Sequence, residues 1–91
     1  MRSRYTAHVL GLDAYLLDTW HPSTRPAAIE RQPEGLRWLG LDLRRSSQDG
    51  PDRATVEFIA RSKLGGRAHR LHETSRFERV DNRWLYVMAL D

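Results

Sequence analysis

The segment from residue 68 to residue 90 constrains the fold most strongly, because it reads as two strands joined by a tight turn. Asp81 and Asn82 stand at the turn, and both residue types tolerate the positive φ angles of a two-residue hairpin. Valine, phenylalanine, tryptophan and tyrosine, which favour strands, lie close to the turn on its two sides. The sequence therefore predicts an antiparallel pair of strands at about 68–80 and 83–90.

One face of the first of these strands mixes apolar with polar side chains. Alternate residues of a strand share a face, which places on one side Leu71, Glu73, Ser75 and Phe77. A carboxylate among apolar neighbours is costly unless the face lines a pocket or supplies hydrogen-bond partners. The pattern therefore indicates a cavity over this face.

Two further strands are predicted before this hairpin. In residues 36–45, Leu36, Trp38 and Gly40 alternate with an arginine and leucines, as in a strand. Residues 54–61 form a second β-rich run. A loop is predicted over residues 46–52, where serine, aspartate, glycine and proline cluster. Gly65 and Gly66 supply the positive φ angles of the turn that leads into the long strand.

The first third of the sequence has helical periodicity. Apolar residues recur at steps of three to four, which places them on one stripe of a helix: Tyr5, Val9, Leu12, Leu16 and Trp20. Gly11 interrupts the stripe and Asp13 can cap a new start, so we expect one kinked helix or two short helices at about 2–11 and 13–20. A further short helix is predicted over residues 26–31, with Ser23 or Thr24 as its cap and Pro26 near its first turn.

This order of elements predicts an α+β fold, with residues 1–91 as one domain. N-terminal helices are expected to pack on one face of a curved four-stranded antiparallel sheet. Strands as long as residues 68–80 have to curve in so small a domain, and a curved sheet wrapped on helices leaves a cone-shaped hollow between the two layers.

The amino-acid composition excludes several kinds of functional site and a membrane-spanning helix. The sequence has no cysteine, which rules out disulfides, thiolate zinc sites and cysteine nucleophiles together. No apolar run approaches the roughly 20 residues of a membrane helix, and the N-terminal segment is a poor signal peptide, so we expect a cytoplasmic protein with no membrane partner.

The net charge is +3, and Lys63 is the only lysine among 15 basic residues, which we interpret as a solvated, arginine-rich surface.

Five segments carry a resemblance to a known family, in order and with similar spacing: residues 1–7 (MRSRYTA), 15–23 (YLLDTWHPS), 38–41 (WLGL), 73–77 (ETSRF) and 83–86 (RWLY). Together they resemble the central domain of the YchJ family, a group of small bacterial proteins of unknown function. The resemblance implies a nuclear-transport-factor-like fold, also called cystatin-like α+β. Proteins of this fold include steroid isomerases, scytalone dehydratase, polyketide cyclases and non-catalytic binding or dimerisation modules, so the fold does not select a function.

The sequence departs from the YchJ pattern in one respect. YchJ-type proteins flank this domain with short cysteine-rich SEC-C motifs that resemble zinc-binding segments, and this sequence has no cysteine. We therefore carry over neither zinc nor a partner recognised by SEC-C, and we expect no cofactor. The chain is then either a natural short form or a truncated one.

Glu73 and His21 are the two candidates for catalysis, and each has a structural alternative. Burial would raise the pKa of the Glu73 carboxyl group toward the range useful for proton transfer; alternatively, Glu73 is a structural carboxylate bonded to Arg4, Tyr5 or Ser75. His21 follows Trp20 at a predicted helix end, where it either interacts with the helix dipole or carries protons at the mouth of the hollow.

Aromatic side chains are plentiful for a small core, and with Ser75 they are the candidates for lining a ligand pocket. The candidates are Tyr5, Tyr15, Trp20, Trp38, Phe58, Ser75, Phe77 and Trp84. Simple core filling is the alternative, and Trp84 with Tyr86 would share a strand face that can stack at a dimer contact. His69 and His72, three residues apart, fall on opposite faces of a strand, so no metal site is expected.

Three functions follow from these features. The first is a non-catalytic module that binds a small apolar ligand or a protein partner, including a second copy of itself through the sheet face of Glu57 and Ile59. The second is an isomerase, dehydratase or cyclase that uses a pocket carboxylate. The third is a basic adaptor for RNA, using the clusters at residues 2–4 and 61–70; the absence of aromatic residues from the second cluster argues against nucleic acid.

Overall fold

The computed structural model describes residues 1–90 as two helices followed by a four-stranded antiparallel sheet. The helices are α1 (Arg2–Leu10) and α2 (Asp13–Asp18), and the strands are β1 (Arg37–Gln48), β2 (Arg53–Leu64), β3 (Arg67–Val80) and β4 (Arg83–Ala89). The strands lie in the order β1-β2-β3-β4, so each pairs with its neighbour in sequence. The predicted α+β fold is confirmed. Neither helix in the described chain is long and apolar enough to cross a bilayer.

Gly11 separates the two helices. It ends α1 in the left-handed conformation, with φ 70°, and the amide of Leu12 donates to the carbonyl of Ala7 at 2.8 Å. Glycine adopts this conformation without the steric cost that a side chain adds. Asp13 was predicted to cap α2, which is wrong, because Leu12 occupies the N-cap position and no side chain caps the helix. Asp13 instead lies in the first turn, where its charge favours the helix dipole.

The turn at Gly11 also breaks the predicted apolar stripe. Val9 and Leu12 are 46% and 47% exposed, whereas Leu16 is 1% exposed. Trp20 lies beyond the end of α2 and forms an isolated parallel bridge with Tyr86 of β4. The five residues therefore do not share one helix face, because the change of direction at Gly11 puts the two helices on different axes.

The predicted helix over residues 26–31 is absent from the described chain, which is irregular there. Both predicted caps have other partners: the Ser23 hydroxyl lies 2.7 Å from His21 Nδ1, and the Thr24 hydroxyl donates to the carbonyl of Val87 at 2.6 Å. A six-residue helix cannot offset its nucleation cost without a cap or a packed face. Thr24, which precedes this segment, is thus bonded to β4 and does not cap a helix.

The two hairpin turns form at the predicted positions. Gly65 and Gly66 have φ angles of 59° and 78°, and Asp81 and Asn82 have φ angles of 52° and 65°. Both pairs match the two-residue turn whose twist suits antiparallel strands. The predicted loop over residues 46–52 is too long, because the pairing of β1 with β2 continues to the pair Gln48 and Ala54.

The register of the sheet defines a helix-side face and an outer face. Phe58 lies opposite Glu73, and Ala60 lies opposite Leu71, so these four residues share the helix-side face. Leu71 and Glu73 were predicted to lie on one face, which is confirmed. Irregular register occurs twice between β1 and β2 and once between β3 and β4. Such irregularities bend strands, and they fit the curvature that the long strands require.

Residues 19–21 protect the free edge of β4. The amide of Tyr86 donates to the carbonyl of Thr19 at 2.8 Å, and the amide of His21 donates to the carbonyl of Tyr86 at 2.7 Å. An unpaired strand edge is a template for unwanted association. This short parallel pairing satisfies the edge and fixes the end of α2 on the sheet.

Replacing Leu16 by alanine should lower the free energy of unfolding by about 2–4 kcal/mol, because the buried side chain leaves a cavity. Leu10, which is 64% exposed, provides a matched control, and Leu10→Ala should change stability by no more than about 0.5 kcal/mol. Urea denaturation followed by tryptophan fluorescence measures both. Equal losses would contradict the burial of Leu16.

Candidate functional site

A cavity of about 650 Å³ lies between α1, the irregular residues 26–33 and the helix-side face of the sheet. Arg4, Tyr5 and His8 line it from α1, and His8 lies about one helical turn after the other two. The sheet contributes residues of β1, β2, β3 and β4: Trp38, Phe58, Ala60, Leu71, Glu73 and Tyr86. The hollow expected between helices and sheet is therefore present, and residues 26–33 close one side of it.

Aromatic rings form much of the cavity wall. Tyr5 and Trp38 meet edge to face with centroids 5.7 Å apart, and Trp20 meets Tyr86 in the same way at 5.0 Å. Edge-to-face pairs add to the energy of burial and fix the ring orientations. Phe58, which is 4% exposed, forms the floor from β2. Four predicted pocket residues, Tyr5, Trp20, Trp38 and Phe58, are thus brought together.

Arg4 is the charged group at the inner end of the cavity. Its side chain is 6% exposed, and its Nη1 donates to the carbonyl of Leu16 at 3.0 Å and to the hydroxyl of Thr19 at 2.7 Å. The guanidinium lies 4.8 Å from the ring centre of Tyr86 and 5.3 Å from that of Trp20, within cation–π range. Burial lowers the pKa of Arg4. The pKa of an arginine is ordinarily so far above neutral pH that the guanidinium still keeps its charge.

Glu73 faces the cavity from β3 and has one bonded partner in the described chain, the hydroxyl of Ser75. That hydroxyl donates to Glu73 Oε2 at 2.6 Å. Of the three predicted partners, Ser75 is the one found, so the bond lies within one strand and does not tie sheet to helix. Tyr86 is close by: burial, and secondarily the Glu73 carboxylate, raises the pKa of its hydroxyl, and Arg4 opposes the shift.

The other predicted pocket residues lie elsewhere. Tyr15, Phe77 and Trp84 line a second cavity of about 310 Å³, and Arg4 lines both cavities. Ser75 is completely buried and lines neither. The eight candidates therefore divide into four around the larger cavity, three around the smaller one, and one buried hydroxyl.

His21 lies outside both cavities. Its Nδ1 is 2.7 Å from the hydroxyl of Ser23 and accepts from the Ser23 amide at 3.1 Å. The structure therefore does not bring His21 together with Glu73. His69 and His72 fall on opposite faces, as predicted from their spacing, and His72 Nε2 lies 2.6 Å from Glu57 on the outer face.

Sequence reasoning missed His8 and the residues that follow Pro26 as cavity lining. His8 is half-buried, and its ring lies 6.4 Å from that of Trp38. Its position four residues after Arg4 was the available signal, because residues spaced by four lie on one side of a helix. No group of three or more metal-ligating side chains occurs within residues 1–90.

The stability of the protein should depend on the protonation of His8. Burial, and then the charge of Arg4, lowers the pKa of His8 in the folded state. The unfolded chain therefore binds this proton more tightly, and stability should fall as the pH drops below about 6.5. Urea denaturation at pH 7.5 and pH 5.5 should show a smaller fall for His8→Gln than for the wild type.

His69→Gln is the control for this measurement, because His69 is exposed on β3. Its stability should fall between the two pH values as much as that of the wild type. An equal fall in all three proteins would contradict the buried position of His8.

Comparison with known proteins identifies the family. The family described as "YchJ, middle NTF2-like domain" matches residues 1–89. A UPF0225 protein of Methylibium petroleiphilum is 66% identical over 87 residues, which cover 96% of this chain and 64% of that protein. A UPF0225 protein of Ralstonia nicotianae is 58% identical over 98 residues, covering 96% and 68%. The chain thus spans about two thirds of the length of these relatives.

A solved structure agrees with this assignment. The solution structure of a SEC-C motif containing protein from Rhodopseudomonas palustris is similar with a TM-score of 0.84 and 34% sequence identity. The match covers 98% of this chain and 73% of that one. The resemblance seen in the sequence is confirmed: the chain belongs to the YchJ-like family and carries its middle NTF2-like domain.

Proposed function

We propose that this chain is a non-catalytic module that binds a small, largely apolar molecule in the 650 Å³ cavity. The observation that carries the proposal is the wall of aromatic rings around a hollow that also holds a few polar groups. Cavities of about 300–1,000 Å³ with such walls accommodate small organic ligands. A tightly packed core leaves few voids larger than a water molecule, so core filling does not account for this volume.

The polar groups of the cavity favour a ligand with one polar end. Glu73 lines the cavity, and its Oε2 accepts from Ser75, so its Oε1 has no bonded partner in the described chain. The Tyr86 hydroxyl and the Arg4 guanidinium lie on the same side, and the Tyr5, Trp38 and Phe58 rings line the remainder. A ligand with an apolar body and a hydrogen-bonding group directed at Glu73 would satisfy both regions.

We prefer binding to proton transfer because the two predicted catalytic groups do not meet. His21 is engaged by Ser23 away from the cavity, so a mechanism that uses Glu73 and His21 together has no geometric support. General acid–base catalysis needs its groups within hydrogen-bond reach of the same substrate atoms. The isomerase-type alternative therefore rests on Glu73 alone.

A neutral fluorescent probe tests the cavity directly. N-phenyl-1-naphthylamine has about 17 non-hydrogen atoms, and at roughly 0.3 kcal/mol per atom it should bind with a dissociation constant on the order of 100 μM or tighter. Its emission should rise and shift to the blue when the protein is added. Leu71→Trp, which fills the cavity from β3, should weaken binding by about tenfold or more, a loss of roughly 1.4 kcal/mol.

Met88→Trp is the matched control. Met88 is 45% exposed and Leu71 is 49% exposed, but Met88 is paired with Arg76 on the outer face and does not line the cavity. Its affinity for the probe should equal that of the wild type, and circular dichroism should show both variants folded. Equal affinity in the two variants, or no binding to the wild type, would contradict the proposal.

A further inference from the structure

One end of the outer sheet face has an excess of positive charge, and the charged residues there do not line the cavity. Residues 58–72, which include the tip of the β2–β3 hairpin, contain four basic residues and no acidic one. Arg61, Lys63 and Arg70 of this stretch are exposed. Arg37 of β1 is exposed as well and joins them through the pairing of β1 with β2. We name Arg37, Arg61, Lys63 and Arg70 the basic end.

The register places like charges directly opposite each other. Arg61 of β2 lies opposite Arg70 of β3, and Lys63 of β2 lies opposite Arg37 of β1. Paired residues share a face, and residues two apart on one strand share it too, so all four project from the outer face. Like charges in opposed positions destabilise a sheet. The basic end therefore carries a repulsion that an anionic partner would relieve.

The four cations of the basic end form no ion pair with any carboxylate in residues 1–90. Other arginines of the described chain do form such pairs, namely Arg44–Asp42, Arg76–Glu78, Arg79–Asp52 and Arg83–Asp18. The contrast is one of position, because most acidic residues of the sheet lie toward its opposite end, near residues 49–57 and 78–81. The charge of the basic end is thus free for an external partner.

We propose that the basic end binds the phosphate backbone of double-stranded nucleic acid without sequence preference. Three of its four cations are arginines, whose planar forks match phosphate oxygens. The described part of this face carries no phenylalanine, tyrosine or tryptophan at the basic end, so stacking on single-stranded bases has no platform here. The absence of aromatic residues from residues 61–70 therefore argues against single-stranded nucleic acid. It does not argue against a duplex, because cations alone supply sequence-independent binding to the duplex backbone.

A duplex suits this surface better than an acidic protein does. Protein interfaces have an apolar, largely uncharged centre with charges at the rim, whereas all four positions of the basic end are charged. The surface lies on the face of the sheet opposite the cavity, so the proposal is independent of the ligand-binding function.

Salt dependence of binding tests the proposal with the 91-residue chain. Fluorescence anisotropy of a labelled DNA duplex of about 20 base pairs should show binding that weakens with salt, with a log–log slope of about −3.6 for four phosphate contacts. Arg61→Ala combined with Arg70→Ala should reduce the slope to about −1.8. Removal of opposed like charges should leave this variant at least as stable as the wild type, which excludes unfolding as the cause.

Arg2→Ala combined with Arg53→Ala is the matched control, because it removes the same charge from exposed positions outside the basic end. Its slope should remain near that of the wild type. The proposal is overturned if the duplex does not bind at low salt, or if the control and the Arg61/Arg70 variant lose affinity equally. Tighter binding to polyglutamate or to phosphatidylglycerol vesicles than to the duplex would also overturn it.

Discussion

The buried guanidinium of Arg4 is the interaction on which the arrangement of this domain depends. Its bonds to the carbonyl of Leu16 and the hydroxyl of Thr19 join α1 to the end of α2. The same group lies against the rings of Trp20 and Tyr86, which joins both helices to β4. A buried cation is costly unless it is bonded and paired with polarisable neighbours. The native fold supplies both kinds of partner to Arg4.

Both cavities border the Arg4 side chain. Met1 also lines each of them. The pairing of Thr19 and His21 with Tyr86 fixes the wall beside Arg4. Aromatic rings form much of the wall of the larger cavity. Glu73 faces this cavity, and its carboxylate has one bonded partner in the described chain, Ser75 of the same strand. This geometry suits the role of polar anchor that we propose for Glu73.

The sheet could be predicted from the sequence because its determinants are local. The Gly65–Gly66 and Asp81–Asn82 pairs are residue types that turns with positive φ require, and the alternation of Leu71 and Glu73 with their neighbours assigns the faces. Residues 26–31 could not be predicted in the same way. The Thr24 hydroxyl bonds a residue of β4 far along the chain, and such long-range partners leave no periodic signal.

The role of Arg4 was missed for a similar reason. From sequence it is one of many arginines, and its burial depends on contacts with residues 12 to 15 positions away. Arg4 was one of three partners predicted for Glu73, and Ser75 is the one found. The family assignment was accessible, because it rests on several short segments taken together, but the family name selects neither ligand nor reaction. The hollow and a basic cluster at residues 61–70 were expected from the sequence, and the three-dimensional arrangement adds which side chains line the cavity and which cations share the outer face.

Amide hydrogen exchange in an Arg4→Met variant tests most directly whether Arg4 holds the helices on the sheet. The informative amides are those of His21 and Tyr86, which bond across the edge of β4. Loss of a charged hydrogen bond, at about 1.5–3 kcal/mol, should speed their exchange by roughly tenfold or more relative to the wild type. Arg2→Met, on the exposed side of α1, should leave both rates unchanged. Unchanged rates in the Arg4 variant would contradict the account.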